Sequence, residues 1–121
     1  MNRTTYGLDI AKSVMQLHWI DGETGEIGRK KLARVKLVDY FARLQPVRVV
    51  MEGCGSAHHW ARKLGALGFD ARIVAAQLVS PYRRQGASGK NDANDAAAVC
   101  EAASRPQMQF RTRAAFGVAV L

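Results

Sequence analysis

Along this chain the spacing of apolar residues changes once, and that change limits the fold more than any other feature. From 4 to 11 (TTYGLDIA), Tyr6, Leu8 and Ile10 fall on one side and Gly7, Asp9 and Ala11 on the other, which is the two-residue period of a strand. Val14 to Ile20 and Ile27 to Ala33 read as two more strands around the turn DGETGE at 21–26. Beyond Ala33 the period lengthens. Leu37, Tyr40, Phe41 and Leu44 recur at the positions of an amphipathic helix that ends before Pro46.

The remainder alternates strand and helix. Val47 to Glu52 (VRVVME) is a short, nearly continuous apolar run suited to a buried parallel strand, and it ends in a carboxylate. GCG at 53–55 is a turn. Ser56 stands where a helix N-cap belongs, Trp60, Leu64 and Leu67 form the apolar side of that helix, and Gly68 can close it in the left-handed conformation. Ala71 to Ala75 is a fifth strand, followed by a helical stretch through Leu78 and Val79. RRQGASGK at 83–90 reads as a basic loop, and Asp92 to Ala103 is helical on alanine propensity. A three-strand meander joined to right-handed strand-helix-strand units predicts an α/β fold. Its mixed five-stranded sheet is flanked by helices, with the first and fourth strands parallel neighbours, in a ribonuclease-H-like arrangement. With 121 residues, 48% of them hydrophobic, the chain has room for one core. The expected division is a domain at 1–110 and an unassigned tail at 111–121.

Eighteen Lys and Arg against ten Asp and Glu give a net charge of +8 and favour an anionic partner, nucleic acid first. No window approaches the roughly 20 apolar residues of a membrane span, and the opening lacks the core of a signal peptide, so a cytoplasmic location and no membrane partner are expected. Cys54 and Cys100 lie among small or apolar residues and read as core positions rather than a disulfide framework. Cys54, His58 and His59 match no zinc-ligand spacing.

The few acids are placed unusually. Asp9 and Glu52 each sit in a strand that should be central, where an unpaired carboxylate is costly, and near the crevice in which open α/β sheets hold ligands. Asp92 and Asp95 share one face of the last predicted helix, and Ala96 and Val99 continue that face as apolar, so both acids point toward the sheet. A single Asp at a helix start is ordinarily a cap that favours the positive helix end. Two on the core-facing side, together with two strand acids, point instead to a metal site. Oxygen donors without a His or thiolate set select Mg²⁺ or Mn²⁺, and two such ions can stabilise the attacking and leaving oxygens of phosphodiester displacement.

Candidate contacts to a nucleic-acid backbone are Lys12, after the first strand, and Arg83, Arg84 and Lys90, in the loop before the Asp pair. Arg29, Lys30 and Lys31 in the third strand either join them or form a solvated edge that discourages strand pairing. Trp60 reads as core. His58 and His59 open a helix and read as exposed and idle in preference to a general acid or base near the metal site.

GLDIAK at 7–12, MEGCGSAHHWARKL at 51–64 and KNDANDAAAVCEA at 90–102 resemble the DEDD transposases of the insertion sequence 110 family, which includes Piv-like DNA invertases. The likeness runs from about Tyr6 to Phe110. It implies a RuvC-like N-terminal domain whose metal-binding tetrad is Asp9, Glu52, Asp92 and Asp95. It also implies DNA recombination with divalent metal, homo-oligomers and, in some members, a structured guide RNA. The serine nucleophile of that scheme lies on a C-terminal domain expected to fall outside this chain, which then reads as a truncated product or an excised domain. The tail beyond Phe110 departs from the pattern. Two readings with the same acids stay open: a stand-alone Holliday-junction-type nuclease, and a non-catalytic nucleic-acid-binding or oligomerisation remnant. A sugar-kinase or actin-like nucleotide binder is disfavoured by the lack of a Gly-rich phosphate loop.

Overall fold

A computed structural model describes residues 4–11, 13–83, 92–105 and 108–110, with backbone only for 92–94. Strands β1 (Thr5–Asp9), β2 (Val14–Ile20) and β3 (Ile27–Ala33) form the meander. A 3-10 turn at Arg34–Lys36 leads into helix α1 (Leu37–Ala42). Then follow β4 (Arg48–Glu52), α2 (Ala57–Ala66), β5 (Asp70–Val74), the short α3 (Ala76–Val79) and α4 (Asp92–Ala103). The sheet order is β3-β2-β1-β4-β5. β1 is antiparallel to β2 and parallel to β4, and β4 is parallel to β5. This mixed five-stranded sheet with helices on both faces is the expected ribonuclease-H-like arrangement. The tail expected at 111–121 lies outside the described residues.

Strand alternation splits the apolar residues into two cores. On one face Tyr6, Leu8, Leu17, Val49, Met51 and Ile73 pack against Leu37 and Phe41 of α1 and Trp60 and Leu64 of α2. Phe41 is fully buried at the centre, edge-on to Tyr6 at 5.5 Å and to Phe69 at 5.2 Å. Such tilted ring pairs add to the burial of the rings themselves. On the other face Val50 and Val74 pack against Val79 of α3 and Ala98, Val99 and Ala102 of α4.

One local expectation is corrected and one holds in position only. Ser56 holds the N-cap position of α2 without a side-chain capping bond; its hydroxyl instead faces the Cys54 thiol at 3.9 Å. Cys54 is exposed rather than core, because it sits in the turn that carries the chain out of the sheet after β4. Trp60 and Cys100 are buried and His58 and His59 are exposed, as the sequence suggests. Gly68 closes α2 at φ +96°, the left-handed conformation that favours glycine.

Helix α4 lies directly on β1, and Gly7 is what lets it. A Cβ at Gly7 would stand 2.5 Å from the Ala96 carbonyl oxygen and 2.7 Å from the Cys100 nitrogen, both of them backbone atoms that a rotamer change cannot move. Gly7→Ala therefore forces the helix off the sheet and is expected to cost about 1–3 kcal/mol, as overpacking does. Urea denaturation should show a lowered midpoint; an unchanged midpoint would mean α4 tolerates the shift.

Candidate active site

Both parallel strands of the centre end on an acid. Leu8 of β1 is in register with Met51 of β4, and the next residues, Asp9 and Glu52, close the two strands. Because the residues before them, Leu8 and Met51, face the α1–α2 core, Asp9 and Glu52 face the side of the sheet that α4 covers. Both are half-buried. They stand at the carboxyl ends of parallel strands, where open α/β sheets form their ligand crevice.

Asp95 enters from above. It lies in the first turns of α4 directly before the fully buried Ala96, so the close seating of the helix on Gly7 also brings Asp95 down to the sheet. Arg83 follows the 3-10 turn Ser80–Tyr82 and places its guanidinium between two of the acids. Its Nη2 donates to Glu52 Oε1 at 2.6 Å and its Nε to Asp95 Oδ1 at 2.8 Å. The bonds to Glu52 and then Asp95 raise its pKa further above the usual arginine value, so the group is always charged. One cation thus ties the end of β4 to the start of α4.

Of the predicted site residues, the structure joins Glu52 and Asp95, and it sets Asp9 at the neighbouring strand end. Asp92 begins α4, with its side chain outside the described residues, as are Lys12, Arg84 and Lys90 altogether. Among the described residues no three His, Cys, Asp or Glu side chains lie close enough to hold a metal ion. Arg83, expected to face a nucleic acid, is instead engaged with the carboxylates. Its position in a basic stretch just before the Asp pair was the available signal; its convergence with Glu52 was not visible in sequence.

Other bonds hold the strand ends in place. Arg34 Nη1 donates to the carbonyl of Ala11, two residues past Asp9, at 3.0 Å, and its guanidinium lies 5.2 Å from the Trp60 ring centre. The cross-strand register also sorts the basic trio of β3. Lys30 turns to the α1 side, with its ammonium 5.7 Å from the Tyr40 ring. Lys31 pairs with Gln16, which pairs with Asp9, so these three side chains form one row on the acidic face. Arg29, His18 and Gly7 form the adjacent row.

A groove of about 670 Å³ opens at the other end of the sheet, lined by Thr5, Asp21, Arg48, Cys100 and Arg105 among others. Its described lining contains none of the four acids. Burial pushes the Cys100 thiol up to about 12, and its Sγ donates to the Thr5 carbonyl, so it is an inert core thiol rather than a nucleophile.

No protein-family model matches the chain. A "Probable family 20 transposase" of Pseudomonas aeruginosa is 47% identical over 110 residues, 91% of this chain and 32% of that protein. The transposase for insertion sequence element IS1111A of Coxiella burnetii is 43% identical over 104 residues, covering 86% and 28%. The chain is similar to insertion-sequence transposases. A third, the transposase for insertion sequence element IS1328 of Yersinia enterocolitica, is 37% identical over 111 residues, covering 92% and 32%. The chain thus spans about a third of the length of the transposases it matches. No helix among the described residues is long and apolar enough to cross a membrane.

His18 offers a check on how α4 seats. Its buried Nδ1 has no hydrogen-bond partner among the described residues, and burial, followed by the Arg29 charge, holds its pKa below the usual 6.5, with Glu101 opposing. The unfolded chain then binds a proton that the folded chain refuses, so stability is full above about pH 6.5 and declines as pH falls through the folded value. Wild type should lose more stability than His18→Gln between about pH 7.5 and about pH 5.5. Equal losses in urea titrations would place His18 outside this linkage.

Proposed function

We propose that this chain forms the RuvC-like, metal-binding half of a DEDD-type transposase active site. In this reading it acts on DNA phosphodiesters during transposition of an insertion sequence, with Asp9, Glu52, Asp92 and Asp95 as ligands of Mg²⁺ or Mn²⁺. The observation that supports it is the convergence of Glu52 and Asp95, from separate elements, on a single cationic group. The Arg83 guanidinium substitutes there for a positive charge, though not for the coordination geometry of a metal ion. Hard oxygen donors, half-exposed at a strand-end crevice, fit a divalent ion of the Mg²⁺ class.

When bound, the ion supplies charge stabilisation to oxygens that become more negative as a phosphodiester is displaced. The chain's own residues do the rest of the positioning. β1 and β4 present Asp9 and Glu52 from a rigid sheet, and α4 presents Asp95 from a helix seated on Gly7. Sites built on such elements hold their geometry better than sites on loops.

The net charge of +8 draws the DNA backbone toward an acidic centre that would otherwise repel it. Arg29 and Lys31 belong to this attraction, since their rows lead across the sheet to Gly7 and Asp9. Lys12, Arg84 and Lys90 are proposed as further backbone contacts. The full reaction needs the longer polypeptide seen in the relatives. A serine nucleophile from its C-terminal part, self-association and a structured guide RNA belong to the same proposal, as does a cytoplasmic setting.

Calorimetric titration with Mn²⁺ tests the metal. Wild type should bind, and Asp95→Asn should bind on the order of tenfold more weakly or worse. Equal binding by the two proteins would remove the tetrad from the reading. Replacing Arg29 and Lys31 together by Ala should flatten the dependence of log affinity for duplex DNA on log salt by about 0.9 for each lost phosphate contact. An unchanged slope would return β3 to the role of a solvated edge.

A further inference from the structure

We propose that Arg83 is the counter-ion this acidic site carries before its metal arrives, and that it leaves Glu52 and Asp95 to take a backbone phosphate of the nucleic acid once the metal is bound. The inference rests on the metal reading above and adds to it a coupling between the two ligands.

Glu52 and Asp95 come from opposite layers, a strand end and a helix start, and each is only partly exposed, at 21% and 15% of its side-chain surface. Two carboxylates held together in such a crevice repel unless a cation lies between them. Arg83 supplies that cation through two donors of one planar fork, each making a short charge-assisted bond. The acids are therefore pre-assembled before any metal enters, and α4 stays docked.

The same contact sets a barrier to the metal. A divalent ion seeks the oxygens that Arg83 already holds, and like charges so close in a half-buried crevice repel, so the guanidinium must give up at least one of its bonds. Released in that way, Arg83 has an unused fork in a basic stretch beside the acidic centre. A phosphodiester there offers the anionic oxygens that an arginine fork matches. Metal entry would then favour nucleic-acid binding, and by linkage nucleic acid would favour metal entry by the same factor. A metal ligand cannot play this part, and neither can a lysine at the edge of β3. The residue must reach both the carboxylates and the approaching backbone.

The test is Mn²⁺ titration by calorimetry of the whole chain, alone and with a short phosphorothioate duplex that resists cleavage, in wild type, Arg83→Gln and Arg83→Lys. Circular dichroism melting confirms that each variant is folded. Without DNA, Arg83→Gln should bind Mn²⁺ about tenfold more tightly than wild type, and Arg83→Lys should fall between them. With DNA, wild type should gain about 5- to 150-fold in Mn²⁺ affinity, and Arg83→Gln should gain markedly less. A simple structural brace predicts the opposite sign, because its removal loosens the acids and weakens the metal. Equal or weaker Mn²⁺ binding by both variants overturns the proposal while leaving the metal site standing. Binding of Mn²⁺ by none of the three proteins overturns the metal reading, and this proposal with it.

Discussion

Everything distinctive in this molecule follows from a helix resting on a strand with no side chain between them. At Gly7 the backbone of α4 approaches β1 so closely that even a methyl group would collide with main-chain atoms. The closeness continues along the helix, where Ala96, Ala98, Val99, Cys100 and Ala102 are all buried. Small residues on one face of α4 and the missing side chain of β1 are two halves of one fit. Because Asp95 immediately precedes the buried Ala96, the fit also sets how far a carboxylate of the helix stands from the carboxylates of the sheet.

Electrostatics then follows packing. Three parallel strands end on the same edge, two of them in acids, and a helix adds a third acid from above. A protein that carries so few acids has concentrated several of them at one crevice and placed an arginine among them. The opposite end of the sheet shows the contrast. There Asp70 meets Arg72 and Arg48, and Glu101 meets Arg105, so acids and bases neutralise one another locally along the surface. Ion pairs of that kind are worth little to stability when exposed. The Arg83 bridge differs because one guanidinium holds two carboxylates, from a strand end and a helix start, at the edge where ligands settle.

The strands, their order and α4 were legible because each rests on a period that a single sequence displays. The alternation through Leu8 and the apolar run through Met51 report burial on one face or two, and Asp92–Ala103 matches its alanine-rich segment from end to end. Helix α1 proved shorter than its apolar spacing implies, since the chain tightens into a 3-10 turn before Leu37 and Leu44 packs from beyond the helix end. Ser56 holds the expected N-cap position without its capping bond, and Cys54 was misread as core, because a turn's geometry is set by what lies beneath it, which spacing does not encode. In the site, the positions of Asp9, Glu52 and Asp95 on one side of the sheet could be worked out from alternation. The role of Arg83 could not, because it depends on residues 31 and 12 positions away meeting at one point. The division of Arg29, Lys30 and Lys31 between faces needed the register of β3 against β2, which the hairpin turn at 21–26 determines.

The sheet core is closed by β1 through β5, while the helix that delivers Asp95 is the last element of the described fold. On the ribosome, residues of β1 emerge long before their partner in α4, and the contacts joining Gly7 to Ala96 and Cys100 are among the longest-range of the described residues. Closing so large a loop is a late and slow event in folding. A nascent chain can therefore pair its strands, setting Asp9 beside Glu52, while Asp95 is still apart. The order of synthesis thus separates the two strand acids from the helix acid in time.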